Sequence, residues 1–278
     1  MNIYMKAQSL RWPLICAGIF IPIVVFAQEF YEKSDVITRL EKREVVSVVK
    51  LEPHPKSKQT IKILDMTAVG LVDGVTLDRS VELMADYPNL HKIAPDYIKL
   101  SELIVKKKDG KYLKYLHMKN EVKTILGTYK VEIYTKVHEE KLSDRGYVHW
   151  EIIEGSTLGR KNAPGDFVGM KGYVMVQKYA RPSGMNISDG RSMGFYRSRP
   201  KKDQLTMMFH GRLERDESGM SKIIPNFILQ FAMEVALQRV GILLRNYLET
   251  AKEIPPPLDL EKLAQEEEKR RPTSPSKN

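Results

Sequence analysis

The sequence predicts an α+β domain in which antiparallel strands are followed by one long helix. The first observation is a series of segments rich in β-branched and aromatic residues, joined by turn signals such as Asp109-Gly110. The second is the stretch 225–252, where apolar residues recur at helical spacing between Pro225 and a stop at Pro255. Hairpins with one early helix and one terminal helix are typical of α+β domains.

Residues 1–27 are interpreted as a secretory signal. Lys6 and Arg11 precede an apolar run from Leu14 to Val25, and small residues suited to cleavage follow. The run is short for a membrane span and contains Pro22, so cleavage is favoured over anchoring. The sequence therefore predicts a periplasmic or secreted protein.

Bulk composition limits the classes of function. With 278 residues the chain is long enough for one large domain. Cys16, inside the predicted signal, is the only cysteine, so thiolate metal sites, disulfides and cysteine nucleophiles are not expected in the mature chain. The net charge of +10 favours an anionic membrane surface or an acidic protein as partner. No nucleic-acid-binding signature is present, and nucleic acid is not an expected partner.

The elements are predicted in the following order. A lead-in occupies 28–42, and two β-branched strands follow at 43–51 and 61–72. Residues 76–93 read as a helix that Tyr87-Pro88-Asn89 interrupts. After Pro95 the remaining strands are predicted at 97–107, 111–124, 128–139, 146–154, 172–179 and 204–215.

Two long Gly-rich connections and the C-terminal tail stand apart from these elements. The connections at 154–171 and 180–203 are of the length that is functional or disordered in compact domains. The second supplies basic candidates for contact with a membrane or a protein partner: Arg191, Arg197, Arg199, Lys201 and Lys202. The proline-containing, charged stretch 253–278 is predicted to be a flexible tail, with a short partner-binding helix as the alternative.

Alternation along the strands predicts one apolar face, against which the long helix would pack. Gln230, Glu234, Gln238 and Arg245 form a polar stripe on that helix, opposite its apolar arc. Two alanines on the arc leave room, and close packing and a ligand cavity both remain open as explanations. The candidate cavity residues are Val131, Ile133, Val148, Trp150, Met207, Phe209, Leu229, Ala232, Met233, Ala236 and Val240.

The patterns that would indicate catalysis are sparse. The same alternation places His138, His149 and His210 on the outer, solvated face, and no histidine pair has zincin spacing. No GxSxG, P-loop or GxGxxG opening a helix occurs, so neither a metal nor a cofactor is predicted. The polar side chains that could contact a ligand are Asp86, Tyr87, Tyr112 and Arg239.

Several short motifs, taken in order, resemble the START-like, helix-grip (SRPBCC) superfamily, which includes polyketide cyclases and lipid-transfer domains. Met66–Gly70 and then the Asp86-Tyr87-Pro88-Asn89-Leu90 turn resemble its first strand and kink. Trp150–Gly155, Phe167–Gly169 with Tyr173, and Pro225 with its helix resemble its paired strands and gripping helix.

The resemblance implies a ligand-binding domain at 43–252. Its curved antiparallel sheet would wrap around the C-terminal helix and leave a hydrophobic cavity for a lipid, sterol, quinone or polyketide-like molecule. The segment 180–203 departs from the compact loops of the family, which leaves the mouth of the cavity undefined.

Three functions are compatible with these observations. The leading hypothesis is an exported, non-enzymatic binding or transfer protein for a hydrophobic ligand. An assembly protein would use the same scaffold to bind a protein partner through its loops or tail. A cyclase- or hydrolase-like enzyme would bring the four polar candidates together in one pocket.

Overall fold

A computed structural model describes residues 30, 33–53, 61–124, 127–160, 167–180, 204–216 and 226–270. For residues 61, 122–124, 127–129, 131, 167–168 and 215–216 it describes the backbone alone. Four α-helices lie in this part of the chain: α1 Ser34–Glu41, α2 Leu77–Met84, α3 Asn226–Thr250 and α4 Leu260–Arg270. The strands are β1 Val46–Pro53, β2 Ile61–Asp73, β3 Ile98–Lys108, β4 Lys111–Thr124, β5 Gly127–Lys141, β6 Arg145–Ile153, β7 Phe167–Lys178 and β8 Gln204–Asp216. Short 3-10 helices span Tyr87–Lys92 and Gly155–Leu158.

The eight strands form one antiparallel sheet in the order β1-β2-β8-β7-β6-β5-β4-β3. Consecutive strands from β3 to β8 are hairpin neighbours, and β8 returns to pair with β2. The predicted α+β fold, with its terminal helix and its interrupted helix after the first strands, is confirmed. The predicted start of β7 was late, since the strand begins at Phe167 and pairs there with β8 across a register shift.

Helix α3 packs on the sheet mainly over β1 and β2. Its buried residues are Leu237, Gly241, Leu244 and Leu248, which recur every three or four positions and form one face. The approach is close at Gly241, where an added Cβ would lie 2.8 Å from a methyl carbon of Val45. A larger residue would push the helix away from the strand.

The polar stripe of α3 faces the edge strand β1. Glu234 accepts a hydrogen bond from the backbone N–H of Val49 at 3.1 Å, and its own carbonyl accepts one from Ser47 Oγ at 3.0 Å. Gln238 Nε2 donates to the carbonyl of Val45 at 2.9 Å. An edge strand presents unpaired backbone groups, and these side chains bind them.

A single contact shows how strongly the sheet curves. The guanidinium of Arg239, on the other flank of α3, lies 5.2 Å from the ring centroid of Tyr97, just before β3. Because β1 and β3 are the two edges of the sheet, a helix that contacts both regions must lie inside a curved sheet. The helix-grip arrangement is therefore present.

The outer face of the sheet differs from the solvated surface that the sequence predicts. His138, His149 and His210 do lie opposite α3, but only His138 is exposed. Helix α1 and a cluster containing Tyr147 and Tyr173 pack on this face, and their rings bury the other two histidines. The alternation therefore predicted correctly that these histidines lie on the outer face, but it did not predict that two of them are buried there.

Part of the predicted flexible tail 253–278 is helical. Helix α4 packs against β3, and its apolar residues join those of Leu258 and the neighbouring strands. The short charged helix considered for this segment is therefore present, and it binds the chain's own sheet.

Candidate functional site

The candidate site is the concave face of the sheet beside α3. Direct pairing places the strand residues on this face, since Val137 pairs with Trp150, and Val174 pairs with both Val148 and Phe209. By alternation Ile133 and Met207 lie on the same face as Val137 and Phe209. Apolar side chains from strands β5 to β8 therefore form one continuous surface.

This surface is only partly covered by α3. Ile133, Trp150, Val174 and Phe209 remain half-buried, although they point to the inside of the curve. On α3 itself, Leu229 and Met233 pack toward the sheet. Three further candidates lie on the flank of the helix that faces away from β1, and all three are exposed: Ala232, Ala236 and Val240. We call this partly covered apolar surface, between the flank of α3 and the middle strands, the trough.

Trp150 is the largest side chain of the trough. Its ring lies 5.7 Å from that of Phe209, stacked at 21°. The ring extends over a glycine on each of the two neighbouring strands, Gly172 on β7 and Gly211 on β8. A Cβ added to Gly172 would lie 2.5 Å from Trp150 Cζ2, and a Cβ added to Gly211 would lie 3.1 Å from the same atom. The indole therefore lies flat on the sheet because neither neighbour has a side chain.

The four polar candidates have separate environments. Asp86 accepts a hydrogen bond from Asn89 Nδ2 at 2.9 Å, and Arg239 lies over Tyr97. Tyr112 donates from its hydroxyl to Glu261 Oε2 at 2.9 Å. Tyr87 is almost fully buried, and burial, with the nearby negative charge of Glu139, holds its pKa well above the ordinary value. These contacts do not form the single hydrogen-bonded pocket that a cyclase or hydrolase would require.

A polar cluster beside Tyr87 was missed by sequence reasoning. Lys114 forms an ion pair with Glu139, and its ammonium lies 5.7 Å from the Tyr87 ring centroid. Lys114 pairs with Val137 and Glu139 with Val148, so both are on the concave face. Extending the alternation of β5 two residues past Val137 would have identified Glu139 as an inward-facing carboxylate.

A cleft of about 310 Å³ opens at the C-terminal end of α3. Its lining includes Asp86, Tyr247 and the segment 251–256, with Lys92 and Lys252 at the same opening. Burial, followed by the neighbouring charge of Asp86, raises the pKa of Tyr247. The lining of the cleft therefore combines charged groups with apolar side chains.

An apolar stripe lies on the outward, solvent-exposed side of α3. Phe227 and Phe231 are 71% and 68% exposed. Ile228, Val235 and Ile242 continue the stripe along the helix and are also exposed. Within the described ranges, α3 is the one helix whose length and composition would suit a membrane span, although its polar stripe binds β1.

Some predicted residues cannot be placed. The side chain of Val131 and the whole basic set Arg191, Arg197, Arg199, Lys201 and Lys202 lie outside the described residues, as does the predicted signal 1–27. In the part of the chain that is described, no group of three His, Asp or Glu side chains is arranged to hold a metal ion.

Comparison with known proteins shows a likeness of fold alone. No family model matches the chain, and no curated protein matches it. Among solved structures, human STARD10 is similar with a TM-score of 0.44 at 7% identity, covering 72% of each chain. A START superfamily protein from Mycobacterium smegmatis has a TM-score of 0.43 at 10% identity, over 66% of this chain and 97% of that one. Norcoclaurine synthase from Thalictrum flavum has a TM-score of 0.37 at 11% identity, over 70% and 99%.

Proposed function

We propose that the protein is an exported, non-enzymatic carrier that holds a hydrophobic molecule in the trough. The observation that carries the proposal is the half-buried apolar surface around Trp150 and Phe209, inside a sheet that curves around α3. Because protein interiors are close-packed, an apolar surface left half-covered beside a helix offers contacts to a further apolar group. The alanines at 232 and 236 keep the opposite wall low, so the channel can accept a ligand.

The ligand class follows from the wall chemistry. Burial of apolar surface contributes roughly 25 cal/mol per Å², so a long acyl chain, sterol, quinone or polyketide-like body would gain most of its affinity there. The methionines Met118, Met170 and Met207 add adaptable apolar contacts on the sheet side. Arg239 stands on the same flank as Ala236 and is placed to contact a polar head group.

A membrane is the proposed source and destination of this ligand. The apolar stripe of α3 supports this part, because exposed phenylalanines can enter the acyl boundary of a bilayer. The basic segment from Arg191 to Lys202 would add attraction to anionic head groups, at about 1 kcal/mol for each cation near the surface. Charge reversal at Arg197, Arg199 and Lys201 is expected to abolish sedimentation with anionic vesicles, and unchanged sedimentation would contradict the role of this segment.

The assembly function remains the second candidate, since the same stripe would suit a protein partner. The two are distinguished by mass spectrometry of an organic extract from mature protein purified without detergent from its native compartment. A stoichiometric lipid, quinone or similar molecule supports the carrier and identifies the ligand class. An extract without one, together with a co-purified protein that a stripe variant releases, supports assembly.

A further inference from the structure

Helix α4 packs on the same hydrophobic cluster as the trough residues Trp150 and Val174. It follows the segment 251–259 and runs along β3. Its apolar residues Leu260, Leu263 and Ala264 belong to the same hydrophobic cluster as Leu103 of β3 and Leu248 of α3. The helix therefore covers apolar surface that a ligand in the trough would otherwise contact.

Polar contacts hold α4 at both of its ends. Near its start, Glu261 accepts the hydrogen bond from Tyr112 and lies 3.9 Å from Lys107. In its last turn, Arg270 Nη1 lies 2.7 Å from Glu102 Oε1 on β3. Lys107 lies at the C-terminal end of β3, Tyr112 at the start of β4 and Glu102 in the middle of β3, so the helix is bound along this edge of the sheet.

The most enclosed of these contacts is made by Glu267. Glu267 is 7% exposed, and its carboxylate lies 3.5 Å from the guanidinium of Arg160, a residue that follows the second 3-10 helix. Arg160 also lies 3.6 Å from Glu102. Glu102 also lies 3.3 Å from Nδ1 of His117. Burial raises the pKa of the Glu102 carboxyl, but the hydrogen bonds from His117 and Arg270 and the positive charge of Arg160 outweigh it, so the pKa is lowered. The last turn of α4 is thus attached to a charge network that extends into β4.

The attachment is suited to release. Most of the ion pairs are partly exposed, and such pairs contribute little to stability. An isolated helix of this length is marginal in water, and α4 offers few apolar residues to the sheet. A long apolar ligand could therefore compete with it for the same surface.

We propose that α4 is an internal competitor that closes the β3 end of the trough and is displaced when a hydrophobic ligand binds. The inference rests on the proposed carrier function and adds its regulation. The apparent affinity for a ligand is lowered by the fraction of molecules in which α4 is docked. Changes that weaken docking raise the apparent affinity, whereas changes elsewhere on α4 leave it unaltered.

Mature protein, in which Trp150 is the only tryptophan, and its E267K variant are compared for binding of dansyl-labelled undecanoic acid, with energy transfer from Trp150 as the signal. Lysine at 267 faces Arg160 and removes the enclosed ion pair, so the apparent affinity is expected to rise about tenfold. Glu268→Lys makes the same charge change at the exposed neighbour and serves as the matched control. Arg270→Gln, an exposed position that leaves the core intact, is expected to raise affinity severalfold and guards against a folding defect in E267K.

Hydrogen–deuterium exchange completes the test. Addition of the labelled acid to wild-type protein is expected to increase exchange in 260–270 while the strands stay protected. Equal affinities in wild type, E267K and R270Q, with 260–270 still protected when the acid is bound, would overturn the competitor role and leave the carrier proposal standing. Failure of all forms to bind the acid would overturn both.

Discussion

Trp150 shows how a single side chain depends on what its neighbours lack. The indole extends from β6 over β7 and β8, where Gly172 and Gly211 present no Cβ to it. A methyl group on Gly172 would also lie 2.2 Å from the backbone carbonyl oxygen of His210. A rotamer change cannot relieve the clash of an added Cβ with the backbone carbonyl oxygen. The position therefore requires glycine.

We expect Gly172→Ala to lower the free energy of unfolding by about 2 kcal/mol, the scale of overpacking a tight interior. It should also shift the emission of Trp150, because the ring must move. Gly169→Ala is the matched control on β7, since its Cβ would lie 3.6 Å from Glu214 at ordinary contact distance. Urea unfolding monitored by fluorescence measures both variants; equal stabilities would contradict the close approach.

His210 is a titratable group inside the outer face. Burial, followed by the positive charge of Arg212, lowers its pKa to about 4. Its Nδ1 lies 3.2 Å from Thr67 Oγ1, and Tyr173 lies beside the ring. Burial also raises the pKa of the adjacent Asp65 carboxyl, so burial disfavours the charged form of both groups. The site therefore resists the charge that acid would place on the imidazole.

This gives a pH dependence with a defined sign. The unfolded chain takes up a proton on His210 near pH 6.5, while the folded protein does so only near pH 4. Stability from this residue is complete above about pH 6.5 and is lost as the pH falls toward 4, on the order of 2–3 kcal/mol. In urea unfolding at pH 7.5 and 4.5, His210→Gln should lose less stability than wild type. His91→Gln, in the 3-10 helix Tyr87–Lys92, should retain the wild-type loss, and an unchanged loss in H210Q would sink the assignment.

At the scale of elements, α3 carries three different surfaces. One binds β1 through Glu234 and Gln238, one packs apolar residues on the sheet and borders the trough, and the third is the outward stripe. The exposed part of the stripe covers roughly 500 Å², given that an aromatic side chain buries 150–250 Å². This is less than the roughly 800 Å² per partner of a typical stable interface, which favours a lipid surface over a dimer.

The double variant Phe227→Ser/Phe231→Ser should bind anionic vesicles at least tenfold more weakly, since each phenylalanine contributes about 1.5–3 kcal/mol when fully buried. Leu142→Ser removes another exposed apolar side chain, at the end of β5, and should bind as wild type does. Vesicle sedimentation measures all three proteins. Unchanged sedimentation of the double variant, with a smaller particle in size-exclusion chromatography, would point to self-association instead.

Period-two alternation predicted the strands and most of the concave face correctly, because that pattern is a local property of the backbone. Burial of His149 and His210 could not be predicted, since it depends on rings from neighbouring strands. Docking of α4 was missed for a related reason. Its charged sequence indicates a solvated segment until Glu267 and Arg160, 107 positions apart, are brought together by the fold. The helical wheel predicted the flank of α3 on which Ala236 lies. It could not predict that the polar stripe binds the backbone of β1, because that contact depends on the position of the edge strand.

At the scale of the whole molecule, binding in the trough should stabilise the fold. A fatty acid such as oleate at a free concentration 100 times its Kd should raise the free energy of unfolding by about 2.7 kcal/mol. Chemical denaturation with and without oleate measures the increase. Hexanoate is too short to span the trough and should give a much smaller increase in the free energy of unfolding. Equal increases with the two acids would contradict a site long enough for the oleate chain.

The eight-stranded sheet leaves neither of its outer strands bare, because α3 binds the backbone of β1 and α4 runs along β3. Strand addition by a second molecule, the usual route from an open sheet to a fibre, is blocked at both ends. A protease cut within 251–259 would release α4 and convert β3 into a template for polymerisation. Thioflavin fluorescence after limited digestion should then rise, and a flat signal would show that β3 is protected by its own lysines.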